Sequence, residues 1–174
     1  MSPLWAHGSQ SYLLARLVDH LCLELDIRIT GGDPVTFKRK DLGKGIEPDR
    51  CYYLRENAAK VRGRERLDLT VDPPPDLVIE MEVTSSMMSR IGIFAALGIP
   101  EVWRFDGDEL QFLHLEGDGA YQAREQSRNF PYLSVNETKQ FLDEAKSLET
   151  NDWIRAFLNF IRETIVPRAA GGAP

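Results

Sequence analysis

Leucine and valine recur at three- and four-residue steps from Gln10 to Leu25 (Leu13, Leu14, Leu17, Val18, Leu21, Leu25). That spacing predicts a helix with one broad apolar face, which Ser9 or Ser11 can cap. DIRIT then reads as a short strand, and a GGDP turn leads to a second one, VTFKRK. After the DLGKG turn, IEPDRCYYL has strand composition. The polar stretch RENAAKVRGRERLDLTVDPPP is either a short helix plus loop or a mobile flap. PDLVIEMEV is a near-continuous apolar run, as expected of a central strand. Next comes a helix over SMMSRIGIFAAL, which Ser85 or Ser86 can cap and which Gly98 and Pro100 stop. EVWRFD, ELQFLHLE and AYQAREQ are three strands separated by Asp/Gly turns. Two helices finish the pattern, VNETKQFLDEAKS and one over residues 150–165. The latter's stripe of Trp153, Phe157, Phe160 and Ile161 should pack on the body of the fold. The order defines an α/β (α+β) domain with a mixed β-sheet flanked by helices.

Length and composition narrow this picture. At 174 residues the chain suits one domain, taken as residues 1–166, with PRAAGGAP (167–174) as a flexible tail. With 43% hydrophobic and 28% charged residues it belongs with folded, soluble chains rather than disordered ones. The longest apolar run, IGIFAALGIP, is too short to cross a bilayer, and MSPLWAHGSQ lacks the features of a signal peptide. A cytoplasmic location is the expectation. Cys22 and Cys51 make neither a disulfide framework nor a zinc site.

A net charge of −6 argues against bulk electrostatic attraction to nucleic acid, but the charge is uneven. Residues 38–66 hold ten Lys/Arg against five acids, so that segment is +5 and the remainder −11. Within it, Lys38, Arg39, Lys40 and Lys44 form one basic loop, and Lys60, Arg62, Arg64 and Arg66 another. Either can contact phosphates, and either can simply be solvated. Of Tyr52 and Tyr53, one could stack on a base, although packing within the strand is the commoner use.

Glu80 and Glu82 stand two apart on the strand PDLVIEMEV, so both should face one side. Like charges there disfavour each other. The pair either faces solvent, or is neutralised by arginines, or forms a site. If the strand carrying Asp49 is a neighbour, three carboxylates converge, the hard oxygen set that Mg²⁺ requires. Arg90, on the following helix, could reach back to orient a phosphate, or could pair with Glu82 structurally. His7, His20 and His114 lack metal-ligand spacing, and neither a GxGxxG nor a P-loop pattern occurs.

PDLVIE, the Thr84-Ser85-Ser86 turn and GIPEVWR followed by an Asp-containing turn together resemble the Uma-type family of proposed bacterial restriction endonucleases. MSPLWAH before an amphipathic helix resembles that family's Ser-Pro-x-x-x-His opening, and EPDRCYY its second-strand Pro-Asp motif. The resemblance runs from about Ser2 to Glu116. It implies a restriction-endonuclease-like core of the PD-(D/E)XK type, in which an acid on one strand and a Glu-x-Lys pair on the next bind Mg²⁺ or Mn²⁺ and position water. By position, Asp49, Glu80 and Glu82 become the metal set, and these three with Arg90 the catalytic set. Glu82 replaces the expected lysine, and Arg90, ahead of Phe94-Ala95, stands where a helix lysine is often found. Arginine stays charged and is a poor proton acceptor.

The resemblance implies a Mg²⁺-dependent endonuclease hydrolysing DNA phosphodiester bonds, with a homodimer as the expected assembly where both strands are cut. The alternative is a catalytically inactive nuclease-fold module that binds nucleic acid or protein. The family usually has a strand or two ahead of the Ser-Pro motif, whereas here Ser2-Pro3 follows Met1 directly. A missing edge hairpin would expose a sheet edge and favour self-association.

Overall fold

The computed structural model describes residues 5–32, 36–39, 44–81 and 87–171. Its first helix, α1 (Trp5–Glu24), begins five residues before the apolar periodicity does. Asp26, at φ 52°, turns the chain out of α1. The first strand, β1 (Ile29–Gly32), is therefore shifted toward the glycines compared with the DIRIT expectation. Gly31 lies where a Cβ would come within 3.3 Å of the Tyr52 ring, so a bare backbone suits this edge strand. The hairpin of β2 (Phe37–Arg39) and β3 (Lys44–Ile46) follows. The IEPDRCYYL segment is thus split, with Ile46 ending β3 and β4 covering Arg50–Leu54. Pro48 sits between them, where it can donate no ladder bond.

Arg55–Val61 forms a short helix, α2, which decides the first of the two readings of the polar excursion. Next come β5 (Leu77–Met81), α3 (Met87–Ala96), β6 (Glu101–Phe105), β7 (Leu110–Leu115) and β8 (Tyr121–Arg124). The chain then forms α4 (Val135–Glu144) and α5 (Thr150–Phe160), a single wide turn over Ile161–Ile165, and α6 (Val166–Ala170). The expected tail is therefore helical as far as Ala170. Pro167 is tolerated because it lies in a helix's first turn, and Arg168 is held by the Tyr132 carbonyl (3.1 Å) and by Glu137 (2.8 Å).

The main sheet has the order β1-β4-β5-β6-β7-β8. Neighbours are antiparallel except β5 and β6, which the crossover through α3 makes parallel. Alternation along β5 sends Leu77, Ile79 and Met81 into a core with α1, α4 and α5. Val78 goes to the opposite face, beneath Phe94 and Leu97 from the α3 side and Ala58 and Val61 of α2. All five β5 residues are buried, as a strand covered on both faces should be. The expected stripe of the last helix is buried at Trp153, Phe157 and Ile161, and Phe160 packs at its margin.

A cap not anticipated from the pattern opens α4. Ser134 accepts from the Glu137 N–H (3.2 Å), and the Glu137 carboxylate accepts from the Ser134 N–H (3.0 Å). Ser134→Ala is expected to cost about 1 kcal/mol in urea unfolding, without altering activity.

Candidate active site

Arg50 pairs with Ile79 across β4 and β5. Continuing that register by one residue sets Asp49 beside Glu80, on the sheet face that carries Cys51, Val78 and α3. Asp49 is fixed by its backbone neighbour, because its Oδ2 accepts the Met81 N–H at 2.7 Å. That bond substitutes for a ladder bond where β4 gives way to the Pro48 bend.

Glu80 is 4% exposed, a charged side chain inside the sheet's α3 face. Its Oε1 forms an ion pair with the Arg90 guanidinium, while Oε2 is buried and has no hydrogen-bond partner among the described residues. Arg90 also donates to the Glu47 carbonyl (2.9 Å), so it ties α3 to the end of β3, and its guanidinium lies 5.9 Å from the Phe94 ring. Burial pushes the Glu80 carboxyl up to about 7. Arg90 pulls it down but does not cancel this, and the Asp49 charge pushes it up further.

The sign of the pH dependence follows. A carboxyl raised in the folded state gives stability that is full below its unfolded value of 4.5 and lost as pH rises through about 7. In metal-free buffer, wild type should therefore lose stability between pH 5 and pH 8 relative to Glu80→Gln. Parallel urea titrations that show the same pH dependence for both proteins would refute this.

The predicted set is thus brought together only in part. Asp49, Glu80 and Arg90 meet, whereas Glu82 lies outside the described residues. Among the described residues, no group of three or more His, Cys, Asp or Glu side chains is arranged to hold a metal. The two carboxylates that do meet fit a hard cation chemically: both offer oxygen, they lie side by side, and one oxygen is buried without a partner among the described residues.

Of the basic residues, Lys38 and Arg39 lie in β2 and Lys44 opens β3, while Lys40 is outside the described residues. Lys60, Arg62, Arg64 and Arg66 are exposed at the end of α2 and in the loop after it. Lys60 donates to Asn57 (3.0 Å), and Arg64 comes within 3.7 Å of Asp72.

Sequence reasoning missed a second buried acid, Glu101, which is fully buried in β6. It accepts from Trp103 Nε1 (2.9 Å), the Arg128 N–H (3.0 Å), the Asn129 N–H (3.0 Å) and Asn129 Nδ2 (2.7 Å). Burial acts to raise its carboxyl, but the neighbouring His114 (3.6 Å) and the bonds from Trp103 and Asn129 outweigh that and hold it below the usual range. The Asn129 amide continues to the Asp76 carbonyl (2.9 Å). Asp76 in turn accepts from the Leu54 N–H (2.7 Å) and Asn57 (2.8 Å), so the Pro-Asp pair of PDLVIE closes the strand ends. An acid amid the apolar EVWRF was the available signal.

The six-stranded mixed sheet with its crossover helix, flanked by helices, is consistent with an α/β nuclease-like core. The chain belongs to the Uma2 family, described as "Putative restriction endonuclease", whose sequence profile matches residues 1–142. A comparison with curated proteins finds no match. Among the described residues, no helix is long and apolar enough to cross a membrane.

Proposed function

We propose that the protein is a Mg²⁺- or Mn²⁺-dependent endonuclease that hydrolyses DNA phosphodiester bonds. The observation that carries this reading is the Asp49–Glu80 pair, with the unpartnered Glu80 oxygen between strands β4 and β5. Asp49 and Glu80 would hold the ion, and Glu82 joins them by its sequence position alone. A divalent ion so bound supplies charge for activating water and for stabilising the departing oxyanion. The Arg90 guanidinium would stabilise charge at the phosphate. The basic residues Lys38, Arg39, Lys40 and Lys44, with Lys60, Arg62, Arg64 and Arg66, would contact the DNA backbone. Cutting both strands of a duplex calls for two such sites, which a homodimer would provide.

A second reading has its own observation. Arg90 already occupies one oxygen of Glu80, which suits a nuclease scaffold that binds nucleic acid or protein without cutting. The test that separates them uses plasmid and linear DNA with Mg²⁺ or Mn²⁺, together with Mn²⁺ calorimetry. Metal binding and cleavage that both disappear in Glu80→Gln support the enzyme. DNA binding with neither metal uptake nor cleavage overturns it.

A further inference from the structure

Arg90 and Glu80 form an ion pair that leaves both partners incompletely satisfied. One guanidinium nitrogen, Nη2, serves both Glu80 Oε1 and the Glu47 carbonyl (2.9 Å). Arg90 Nε and Glu80 Oε2 are both buried, and neither has a partner among the described residues. Arginines that brace the fold elsewhere are bound differently. Arg162 grips Glu24 through two nitrogens (2.8 and 2.7 Å), and Arg124 grips Glu116 in the same way (3.2 and 2.7 Å). A buried pair that serves structure alone needs its remaining donors and lone pairs met as well. This pair holds at one point and leaves a donor and an acceptor over, as suits members that exchange partners.

Charge and access indicate which partners. Asp49 stands beside Glu80, so two acids face a single guanidinium. A divalent cation matches two carboxylates better than a guanidinium does, and the two cations repel, so they compete for Glu80. The Glu80 side chain is shut in while the pair holds, whereas that of Arg90 is 32% exposed, in the first turn of α3. The arginine therefore has a way out toward solvent. A phosphate arriving from solvent offers it two oxygens where Glu80 gives one.

We propose that Arg90 is an exchangeable latch on the acid pair. It holds the Glu80 carboxylate until a DNA phosphate takes the guanidinium, and that transfer opens Asp49 and Glu80 to the divalent ion. Metal and DNA then favour each other's binding by the same factor. The inference rests on the nuclease reading and adds how the site is regulated: metal uptake waits for substrate.

Mn²⁺ calorimetry, with and without a phosphorothioate DNA duplex that resists cleavage, tests it. For wild type, the duplex is expected to tighten Mn²⁺ binding about tenfold. Arg90→Gln removes the latch, so without DNA it should bind Mn²⁺ about tenfold more tightly than wild type. The same variant should cut unmodified DNA more slowly, because the phosphate has lost its cation. Tighter metal with slower cleavage is a split that losing a structural brace does not produce. Arg90→Lys keeps a cation beside Glu80 and should hold Mn²⁺ as weakly as wild type, which covers misfolding of the glutamine variant. Equal Mn²⁺ affinity in wild type and Arg90→Gln, or a wild-type affinity that DNA leaves unchanged, overturns the latch. So does Arg90→Lys binding Mn²⁺ as tightly as Arg90→Gln. If the latch fails while cleavage occurs and is lost in Glu80→Gln, the nuclease reading stands without it. Neither Mn²⁺ uptake nor cleavage in any of these proteins removes both.

Discussion

Glu80→Gln is expected to lower Mn²⁺-supported DNA cleavage by a hundred- to a thousandfold, on the order of the loss when one charge-stabilising group is removed. The substitution is nearly isosteric, so the sheet should persist and circular dichroism should be unchanged. What disappears is the negative charge on the oxygens between β4 and β5, and with it most of the attraction for a divalent ion. Arg90 keeps a polar neighbour in the glutamine and remains tied to the Glu47 carbonyl (2.9 Å). Glu80 is the informative position because Asp49 also serves the backbone through the Met81 N–H, so replacing Asp49 would mix chemistry with stability. Cleavage retained within threefold in Glu80→Gln would remove the acid pair from the mechanism.

Glu101→Ala is expected to be the most destabilising single change at a polar position, at about 3–5 kcal/mol, or a melting temperature lower by about 10 °C. Truncation strands four donors at once: Trp103 Nε1, the Arg128 and Asn129 N–H groups and Asn129 Nδ2. None can be rewetted easily, since Glu101 is fully buried and Asn129 nearly so. The carboxyl's depressed pKa gives stability present above its unfolded value of 4.5 and lost as pH falls through the folded value. This is opposite in sign to Glu80, so acid should weaken the 101–129 knot while relieving the acid pair. Thermal unfolding of Glu101→Ala at pH 7 within about 1 kcal/mol of wild type would show the knot to be dispensable.

Much of the fold was legible along the chain because apolar periodicity is a local property. The strands EVWRF, LQFLHL and YQAR, and the helices that begin at Val135 and Thr150, lie where their alternation or helical spacing places them. Legibility failed where a single residue overrides the pattern. Pro48 splits one expected strand into two, and Asp26 delays β1 until the glycines.

By itself the sequence determined the class of the domain, the central place of PDLVIEM and the acids worth watching, because those follow from spacing and residue type. Only the tertiary structure decided which acids meet. Register across β4 and β5 makes neighbours of Asp49 and Glu80, which are distant in the chain, and the α3 crossover delivers Arg90 to them. It also separated two buried glutamates that look alike in the sequence. Glu101 is satisfied by several donors, whereas Glu80 keeps one oxygen without a partner among the described residues. Hydrogen-bond satisfaction depends on what the fold brings alongside a residue, and no local pattern encodes that.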